Sequence, residues 1–404
     1  MKIVVLKFGG TSVGTIKRIK KVSNIIVSYV KKGFKVIVVS SAMSGATNDL
    51  IKKSKNISKN FNSSEYDVLV SSGEQISCAL IAGRLNHIGY KSQSWMSWQV
   101  PIFAEGNHKT SRISKINKNK ITDYLKSGGI PVITGFQGLN NNNRITTLGR
   151  GGSDASAIML AKFFKAKKCI IFTDVEGVYT TDPNKIKNAK KIKIISYEEM
   201  LEMASLGAKD MQPHSIQDAR LNRIKIDVKS SFVNRSGTII TKRKNINRKR
   251  TITGLTSTKN DAKVTLVGVK DKPGVAASVF KPLSQNYVNV DMVVQTSSST
   301  NRETDITFTI KSEELQKTVK LIKQNEKIKY RDLLINKNVS KVSIIGVGMI
   351  TTPGVTYRMF KTLADNGINI LVISSSEIKI SVLISKKNIK KALSALHKEF
   401  KLNS

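Results

Sequence analysis

Lys7-Phe8-Gly9-Gly10-Thr11-Ser12-Val13 joins a short apolar run, residues 3–6, to a longer run that begins at Ile16. The first run is continuous, as in a buried strand, whereas the second repeats apolar residues at helical spacing. A glycine-rich turn between a strand and a helix presents backbone N–H groups, two hydroxyl groups and one ammonium to an anion. Its two glycines let a phosphate approach the main chain, because no Cβ stands in the way. The stretch therefore predicts an anion site after the first strand.

The chain is strongly basic: its 404 residues include 68 Lys and Arg but only 28 Asp and Glu, a formal net charge of +40 at pH 7. A basic surface can bind the phosphate backbone of nucleic acids. The lysines, however, lie among Asn and Ile residues, without interleaved aromatic side chains that would stack on bases. We therefore expect no specific nucleic-acid partner and interpret the charge as a solvated surface that attracts small anions.

Other features of the composition exclude several classes of protein. No apolar run approaches the roughly 20 residues that span a bilayer, and Lys7 interrupts an N-terminal apolar stretch that is too short for a signal peptide. Cys78 and Cys169 form neither a metal-binding spacing nor a disulfide framework, and the four histidines are far apart in sequence. We expect a cytoplasmic protein without membrane contact and without a metal ion held by protein side chains alone.

Strand-like and helical patterns alternate over the first part of the chain. Apolar runs that are typical of strands lie at residues 3–6, 36–40, 130–133, 169–172 and 224–228. Helical patterns lie between them, which favours βαβ units and a mainly parallel sheet with helices on both faces, a three-layer αβα domain. Residues 241–249, dense in Lys, Arg and Asn, are typical of a linker.

An internal repeat follows the linker. Residues 263–269 match residues 341–347, the Pro-Gly turn at 272–275 matches that at 352–355, and residues 288–290 match residues 368–370. Two copies of strand, Pro-Gly turn, helix and strand predict a pair of βαββαβ modules.

A second glycine-rich cluster, Thr147-Leu148-Gly149-Arg150-Gly151-Gly152-Ser153-Asp154, precedes an apolar helical run at residues 155–161. Arg150 offers a planar fork that suits a carboxylate or a phosphate, with a surface ion pair as the alternative. Ser153 or Asp154 could cap the helix. Neither glycine cluster is a Walker A loop, and protein-kinase signatures are absent.

Three further polar segments each adjoin a strand or a helix. Thr173 and Asp174 follow an apolar strand, at the end where parallel sheets bind ligands, although turn formation alone would also explain Asp174. Ser71-Ser72-Gly73-Glu74-Gln75 opens the helical residues 76–85, which would place Glu74 in a first turn favoured by the helix dipole. Ser40-Ser41-Ala42-Met43 begins a hydroxyl-rich loop, in which Ser and Thr are often turn formers.

These segments, taken in order, resemble those of the aspartate kinases of the monofunctional, lysine-sensitive type, which are amino-acid kinases with two C-terminal ACT domains. The matching motifs are Lys7-Phe8-Gly9-Gly10-Thr11-Ser12, Ser40-Ser41-Ala42-Met43, Gly73-Glu74, Gly135-Phe136-Gln137-Gly138, and the segments 147–154 and 173–183. The resemblance implies an amino-acid kinase fold in residues 1–245, a first ACT domain in residues 263–335 and a second in residues 341–404.

The resemblance also implies an activity. This is the transfer of the γ-phosphoryl group of ATP to the β-carboxylate of L-aspartate, which gives 4-phospho-L-aspartate, the first step towards lysine, threonine and methionine. A carboxylate with an ordinary pKa of about 4 is ionised at neutral pH and needs no general base. Catalysis then consists of holding two anions in line and neutralising the charge on the transferred group. Mg²⁺ would arrive with the nucleotide phosphates.

Site residues follow from the resemblance, position by position. Lys7, Arg150 and Asp174 are the expected catalytic residues. ATP would contact Lys7, Phe8, Gly9, Gly10, Thr173, Asp174, Tyr179, Asp182 and Lys209. Aspartate would contact Ser41, Thr47, Glu74, Arg150, Gly151, Gly152 and Ser153, with Arg150 on a carboxylate and Glu74 on the ammonium. The family's Leu-His-Pro-Arg-like run is replaced here by Met211-Gln212-Pro213-His214, so His214 receives no role.

The two ACT domains imply feedback inhibition by lysine, threonine or both, bound where the domains pair. The residues that resemble effector contacts are Asp271, Val275, Ala276, Asn289, Asp291, Gln295, Asn369 and Ile370. Core packing is the alternative for Val275, Ala276 and Ile370. ACT pairing also implies a homo-oligomer, a dimer or a tetramer, and no Met lies between Met211 and Met292 to start a separate short regulatory subunit.

Two other kinds of function remain open at this point. The same fold could phosphorylate glutamate, acetylglutamate, carbamate or a nucleoside monophosphate, although the double ACT tail favours aspartate. The chain could also be an amino-acid sensor or a nucleic-acid-binding protein that has lost catalysis, but Lys7, Arg150 and Asp174 argue against that.

Overall fold

The computed structural model describes residues 1–207, 211–243, 250–297 and 303–403. These residues form two compact units. The first comprises the described residues of Met1–Val178 and Lys191–Arg248, and the second those of Tyr179–Lys190 and Lys249–Ser404. Within the described ranges, none of the helices combines the length and the apolar character of a membrane span. Most of the predicted linker, residues 244–249, lies outside the described residues.

The first unit alternates strands and helices along the chain. Its strands are β1 (Ile3–Phe8), β2 (Lys35–Ser40), β3 (Ser92–Trp95), β4 (Ile102–Glu105), β5 (Arg112–Ile116), β6 (Ile130–Thr134), β7 (Gln137–Leu139), β8 (Ile145–Thr147), β9 (Lys168–Thr173), β10 (Ile194–Ser196), β11 (Ile226–Ser230) and β12 (Thr238–Thr241). Its helices are α1 (Ile16–Lys31), α2 (Ala46–Ile57), α3 (Ser63–His87), α4 (Asn119–Lys126), α5 (Gly152–Phe163), α6 (Tyr197–Ser205) and α7 (Pro213–Leu221).

The main sheet of this unit has eight strands in the order β10-β12-β11-β9-β1-β2-β6-β3. Every neighbouring pair is parallel except β11 with β12. The five predicted strands are confirmed as β1, β2, β6, β9 and β11. All six residues of the central strand β1 are buried, as expected for a parallel sheet covered on both faces.

Helices cover both faces of the main sheet. Val4, Leu6 and Phe8 of β1 pack in one core with side chains of α1 and α3. Alternation along the strand sends Val5 and Lys7 to the other face, where α5 packs against β1 and β9 and is joined by α7. The predicted three-layer αβα fold is therefore confirmed.

A smaller sheet in the order β5-β4-β7-β8 lies in the same unit. Its strands β7 and β8 pair antiparallel as a hairpin, and the chain then enters the second glycine-rich cluster and α5. This hairpin thereby delivers Arg150 at the start of a helix that packs on the main sheet.

The second unit contains one sheet and four α-helices within its described part. Its strands are β13 (Gly254–Ser257), β14 (Asp261–Lys270), β15 (Val293–Ser297), β16 (Glu303–Lys311), β17 (Asp332–Ile345), β18 (Ile370–Ser376) and β19 (Lys379–Ser385). Its helices are α8 (Val275–Gln285), α9 (Leu315–Lys323), α10 (Val355–Asp365) and α11 (Ile389–Glu399).

The two repeats share the long strand β17. Its first half pairs with β14, and its second half pairs with β19 and with β13. The first module is therefore β14-α8-β15-β16-α9-β17, whereas the second takes its remaining strand from β13, which precedes the first module in sequence. The repeated Pro-Gly turns are explained by Gly274 and Gly354, which begin α8 and α10 with left-handed φ angles of 88° and 83°.

The segment Tyr179–Lys190, which interrupts the first unit in sequence, belongs to the second unit. The N–H of Leu255 donates to the carbonyl of Thr180 at 2.7 Å. The hydroxyl of Thr180 lies 3.1 Å from Nε2 of His397, whose pKa is lowered by burial. Ile186 packs against the core of the second module. Part of a motif that was predicted for nucleotide binding thus belongs to the second unit.

Candidate active site

The turn after β1 is enclosed by the ends of the neighbouring strands. The N–H of Gly9 donates to the carbonyl of Phe172, the last residue but one of β9, at 3.1 Å. A Cβ on Gly10 would lie 2.9 Å from the carbonyl oxygen of Ala42, in the loop that follows β2. Only glycine therefore fits at this second position. Phe8 is fully buried and stacks on Phe172 at 4.8 Å, so only its backbone faces the turn.

Lys7 forms an ion pair across this end of the sheet. Its Nζ lies 2.6 Å from Oδ1 of Asp154, and the two side chains are only 11% and 9% exposed. The same Nζ would lie 3.6 Å from a Cβ on Gly9, which places the ammonium beside the glycine turn. Two charges so poorly screened by water attract each other strongly. Asp154 thus holds Lys7 in place, a role that the sequence analysis missed.

The residue that precedes α5 is not one of the two that were expected to cap this helix. Gly151, with a left-handed φ of 70°, is the residue before the helix, and Ser153 and Asp154 lie inside its first turn. The predicted capping by Ser153 or Asp154 is therefore wrong. The signal that could have revealed the role of Asp154 is the strand alternation that turns Lys7 away from the apolar face of β1.

The end of β9 joins the glycine turn through a serine that the sequence analysis did not single out. The N–H of Ser231 donates to the carbonyl of Thr173 at 3.0 Å, and its hydroxyl donates to that of Ser12 at 2.8 Å. Thr173 in turn donates its hydroxyl to the carboxylate of Asp174 at 3.1 Å. Thr173 and Asp174 are therefore brought to the same end of the sheet as Lys7.

Glu74 lies in the middle of α3, against the loop after β2. Its Oε1 accepts a hydrogen bond from the N–H of Ala42 at 3.0 Å. Its Oε2 is buried and has no hydrogen-bond partner within the described residues. The expectation of a first helical turn is wrong, because α3 already begins at Ser63, where the side chain of Asn62 caps it. A Cβ on Gly73 would lie 2.7 Å from that of Ala42, so glycine permits this close contact.

Burial has a large effect on the Glu74 carboxyl. Desolvation raises the pKa of Glu74 to about 8, and the backbone N–H groups of Ala42 and of Glu74 itself offset this only in part. In the absence of a ligand the group is therefore largely protonated at neutral pH. A cation placed against Oε2 would favour the ionised form instead.

This raised pKa predicts a dependence of stability on pH. The neutral Glu74 stabilises the folded state fully below its ordinary pKa of 4.5, and that contribution is lost as the pH rises towards about 8. Glu74→Gln removes the ionisation, so the variant should gain stability relative to the wild type over this window, by up to about 1.4 kcal/mol per pH unit. Urea unfolding at pH 4.5 and at pH 8 measures the difference in unfolding free energy between the variant and the wild type. Parallel stability curves for wild type and variant would contradict the expectation, and Glu65→Gln, at an exposed position of the same helix, is the control.

Arg150 lies between two glycines with left-handed backbones, Gly149 and Gly151, at φ angles of 73° and 70°. Its side chain is exposed and has no hydrogen-bond or ion-pair partner in the described part of the chain. The alternative of a surface ion pair is therefore not what the structure shows. Ser153, in the first turn of α5, is buried against Gly135, where a Cβ would lie 2.7 Å from that of Ser153.

His214, which stands where the family pattern has an arginine, lies next to the loop of residues 148–151, here called the Arg150 loop. Its Cε1 would be 3.5 Å from a Cβ on Gly151, whose carbonyl accepts a hydrogen bond from the hydroxyl of Ser215 at 3.3 Å. Burial lowers the pKa of His214, so the ring is neutral at pH 7.

The other predicted site residues are placed as follows. Ser41 follows β2 and donates its N–H to the carbonyl of Phe8 at 3.1 Å, and Thr47 lies in α2. Tyr179 and Asp182 belong to the second unit. Lys209 lies outside the described residues.

All eight predicted effector residues lie in the second unit. Five of them are exposed, namely Asp271, Asn289, Asp291, Gln295 and Asn369. Val275 is buried in the core of the first module, so packing already accounts for it. Asp291 forms an ion pair with Lys341 of β17.

Comparison with known proteins agrees with this fold. The amino acid kinase family model matches residues 2–230, and an ACT domain model matches residues 264–325 and 342–400. The chain is 42% identical over 403 residues to the aspartokinase of Geobacillus stearothermophilus, over 100% of this chain and 98% of that protein. It is also 42% identical over 407 residues to the aspartokinase of Pseudomonas aeruginosa, with the same coverage.

Among solved structures, the crystal structure of E. coli aspartokinase III in complex with aspartate and ADP (R-state) superposes with a TM-score of 0.79. The two chains are 25% identical, and the match covers 98% of this chain and 99% of that one. Similarity of sequence and of fold thus extends over the whole chain, and the matched families account for both units. The chain belongs to the aspartokinase family, a family of phosphotransferases with ACT regulatory domains.

Proposed function

We propose that this enzyme transfers the γ-phosphoryl group of ATP to the β-carboxylate of L-aspartate, the first step towards lysine, threonine and methionine. The observation that carries the proposal is the ion pair between Lys7 and Asp154, which holds a nearly buried ammonium beside the glycine turn of β1. Glu74 and Arg150, in the same unit, offer the two charges that would recognise an amino acid. The similarity to proteins named aspartokinase favours aspartate as that amino acid.

Lys7 would act on the transferred group. The attacking carboxylate is ionised at neutral pH, so no side chain has to remove a proton from it. What remains is to neutralise the negative charge on the phosphoryl oxygens, and an ammonium shielded from water does so more strongly than one at the surface. Asp154 would keep that ammonium oriented before the nucleotide binds, so that little reorganisation is needed.

Arg150 and Glu74 would hold the acceptor. The guanidinium of Arg150 can bind a carboxylate through two parallel hydrogen bonds. The unpartnered Oε2 of Glu74 can accept from an ammonium, and because the pKa of Glu74 is raised to about 8, binding would release a proton near neutral pH. Together they would orient the β-carboxylate for in-line attack.

The end of β1 is also suited to nucleotide phosphates. Gly9 places no Cβ beside the Lys7 ammonium, which supplies positive charge for a phosphate. In the described ranges, no three His, Cys, Asp or Glu side chains come together as a metal site. A nucleotide-borne Mg²⁺ needs no such cluster, since it keeps several waters and binds phosphate oxygens with one or two carboxylates. The exposed Asp174, which follows β9, would be the carboxylate that holds it.

The second unit would provide regulation. We place the ACT domains at residues 263–335 and 341–404, the second completed by β13, and the kinase domain at residues 1–245 without the segment 179–190, which belongs to the second unit. Five exposed effector candidates in the ACT pair support binding of lysine, threonine or both there, with feedback inhibition of the kinase. Pairing of ACT domains between copies would give a dimer or a tetramer.

An acyl-phosphate trapping assay tests the proposal. The protein is incubated with ATP, Mg²⁺ and aspartate, and hydroxylamine displaces phosphate from the acyl phosphate to give a hydroxamate, which is measured as its coloured ferric complex. We expect product with aspartate and little with glutamate, acetylglutamate or carbamate, and less product when lysine or threonine is added singly or together. Absence of product above a blank without enzyme would refute the activity, and a preference for another acceptor would reassign the substrate.

A further inference from the structure

The carboxylate of Asp67, on α3, lies outside the predicted site and is fully buried, with 0% of its side chain exposed. On one side its Oδ2 accepts hydrogen bonds from Nδ1 of His108 at 2.7 Å and from the N–H of Lys109 at 3.0 Å. On the other, the N–H of Thr147 donates to Oδ2 at 3.1 Å and the hydroxyl of Thr147 donates to Oδ1 at 2.7 Å. The hydroxyl of Thr146 makes a longer contact of 3.4 Å. Since an unpaired buried carboxylate is costly, this set of donors is what allows Asp67 to lie there.

Both segments that donate to Asp67 support the backbone that leads to Arg150. Thr147 ends β8, three residues before Arg150. A Cβ on Gly149 would lie 3.0 Å from the carbonyl oxygen of Lys109. The N–H of Ser111 donates to the carbonyl of Thr147 at 3.1 Å. The loop that contains His108 therefore braces the Arg150 loop from one side, and Asp67 binds the two together.

The same helix carries Glu74. Asp67 and Glu74 are seven residues apart in α3, which is about two turns, so they project from the same face roughly 10 Å apart along the axis. At one end of this face, Asp67 is hydrogen-bonded to Thr147, which leads into the Arg150 loop. At the other end lies Glu74 with its unpartnered Oε2. A helix is stiff, so α3 can set the separation between the two groups.

We infer that Asp67 is a positioning residue that fixes the Arg150 loop relative to Glu74 and so sets the spacing at which the site recognises the carboxylate and the ammonium of one amino acid. The inference rests on the proposed function, which assigns those two charges to the acceptor. Asp67 itself touches no substrate in this scheme and acts through Thr147. A purely structural role would instead make Asp67 matter for folding but not for the choice or affinity of the acceptor.

Thr147→Val tests this without removing the buried charge. Valine keeps the shape of threonine but deletes the hydroxyl that donates to Oδ1 of Asp67 at 2.7 Å. We expect the KM for aspartate to rise about tenfold, because a small displacement of a binding group costs this much, while the KM for ATP changes by less than about twofold. Thr147→Ser, which restores the hydroxyl, should recover most of the loss. Melting temperatures are measured on the same preparations.

Asp67→Asn is the stronger variant. Its carbonyl oxygen can still accept from the N–H groups that meet Oδ2, but its NH2 replaces the acceptor of the Thr147 hydroxyl and the negative charge is lost. We therefore expect the same selective rise in the KM for aspartate, of about tenfold or more, together with a lower melting temperature. If both variants lower the melting temperature or kcat but leave the KM for aspartate unchanged, Asp67 is only structural and the inference is overturned. Wild-type protein that forms no hydroxamate with aspartate would overturn the proposed function, and this inference with it, before any variant is compared.

Discussion

Lys7→Ala should lower kcat by about 10³-fold at saturating ATP and aspartate, since one preorganised donor to a transition-state charge typically contributes an effect of this size. The Lys7 ammonium is nearly buried, lies beside the glycine turn and is paired with Asp154 at 2.6 Å. The hydroxamate assay at saturating substrate measures the loss.

Loss of the ammonium also leaves the Asp154 carboxylate buried without its partner, which could destabilise the fold. The double variant Lys7→Ala/Asp154→Asn removes both charges and separates the two effects. We expect it to be folded, with a melting temperature near that of the wild type, and inactive. Lys168→Ala, at the exposed start of neighbouring β9, is the matched control and should keep wild-type activity. Lys7→Ala protein that retains most of its kcat would remove Lys7 from the mechanism.

Arg150→Ala should raise the KM for aspartate by about 100-fold and leave the KM for ATP within about twofold. A bidentate contact between a guanidinium and a carboxylate is strong, and each tenfold change in affinity corresponds to about 1.4 kcal/mol. Because Arg150 has no partner within the described residues, its truncation leaves no other charge unpaired. The loss should therefore appear in substrate binding and not in stability.

The form of the contact can be tested with a second substitution. Arg150→Lys keeps the charge but not the planar fork, so it should recover only part of the affinity. Arg144→Ala, in the hairpin turn that precedes the Arg150 loop, removes an exposed arginine paired with exposed Glu65 and serves as the control. An unchanged KM for aspartate in Arg150→Ala would exclude Arg150 from acceptor binding.

Local sequence predicted the parts of the fold that depend on local chemistry. The continuous apolar runs identified five strands of the main sheet, and their alternation with helical patterns indicated its parallel order. The glycine-rich turns were recognisable because a backbone at positive φ, as at Gly149 and Gly151, or a contact as close as that of Gly10 with Ala42, excludes other residues.

The position of Glu74 was misjudged because the residues before it resemble a loop. Ser71 and Ser72 are ordinarily weak helix formers. In the structure their hydroxyls donate to the carbonyls of Val68 and Leu69, at 3.0 and 2.8 Å, and so bond along the helix. Packing of the helix face around Gly73 against Ala42 supplies the stability that local sequence lacks.

Contacts between distant segments were beyond the reach of sequence patterns. Asp154 meets Lys7, and Asp67 meets His108 and Thr147, only after the sheet and α3 have assembled. Likewise, β13 is only four residues long and pairs with β17, which begins almost 80 residues later. So short a strand contains no pattern that would assign it to the second module. These assignments need the tertiary structure.

The path of residues 179–190 bears on how this enzyme can be divided. The chain leaves the first unit after Val178, returns to it after Lys190 and has left it again by Arg250. A fragment that stops at the linker would keep Thr180 but lose its hydrogen-bond partners, Leu255 and His397. It would also keep Ile186 but lose the apolar core against which that side chain packs. Chimaeras that exchange regulatory halves between aspartokinases should therefore transfer residues 179–190 together with the ACT pair. Thr180 and Ile186 then keep their native hydrogen bonds and packing partners.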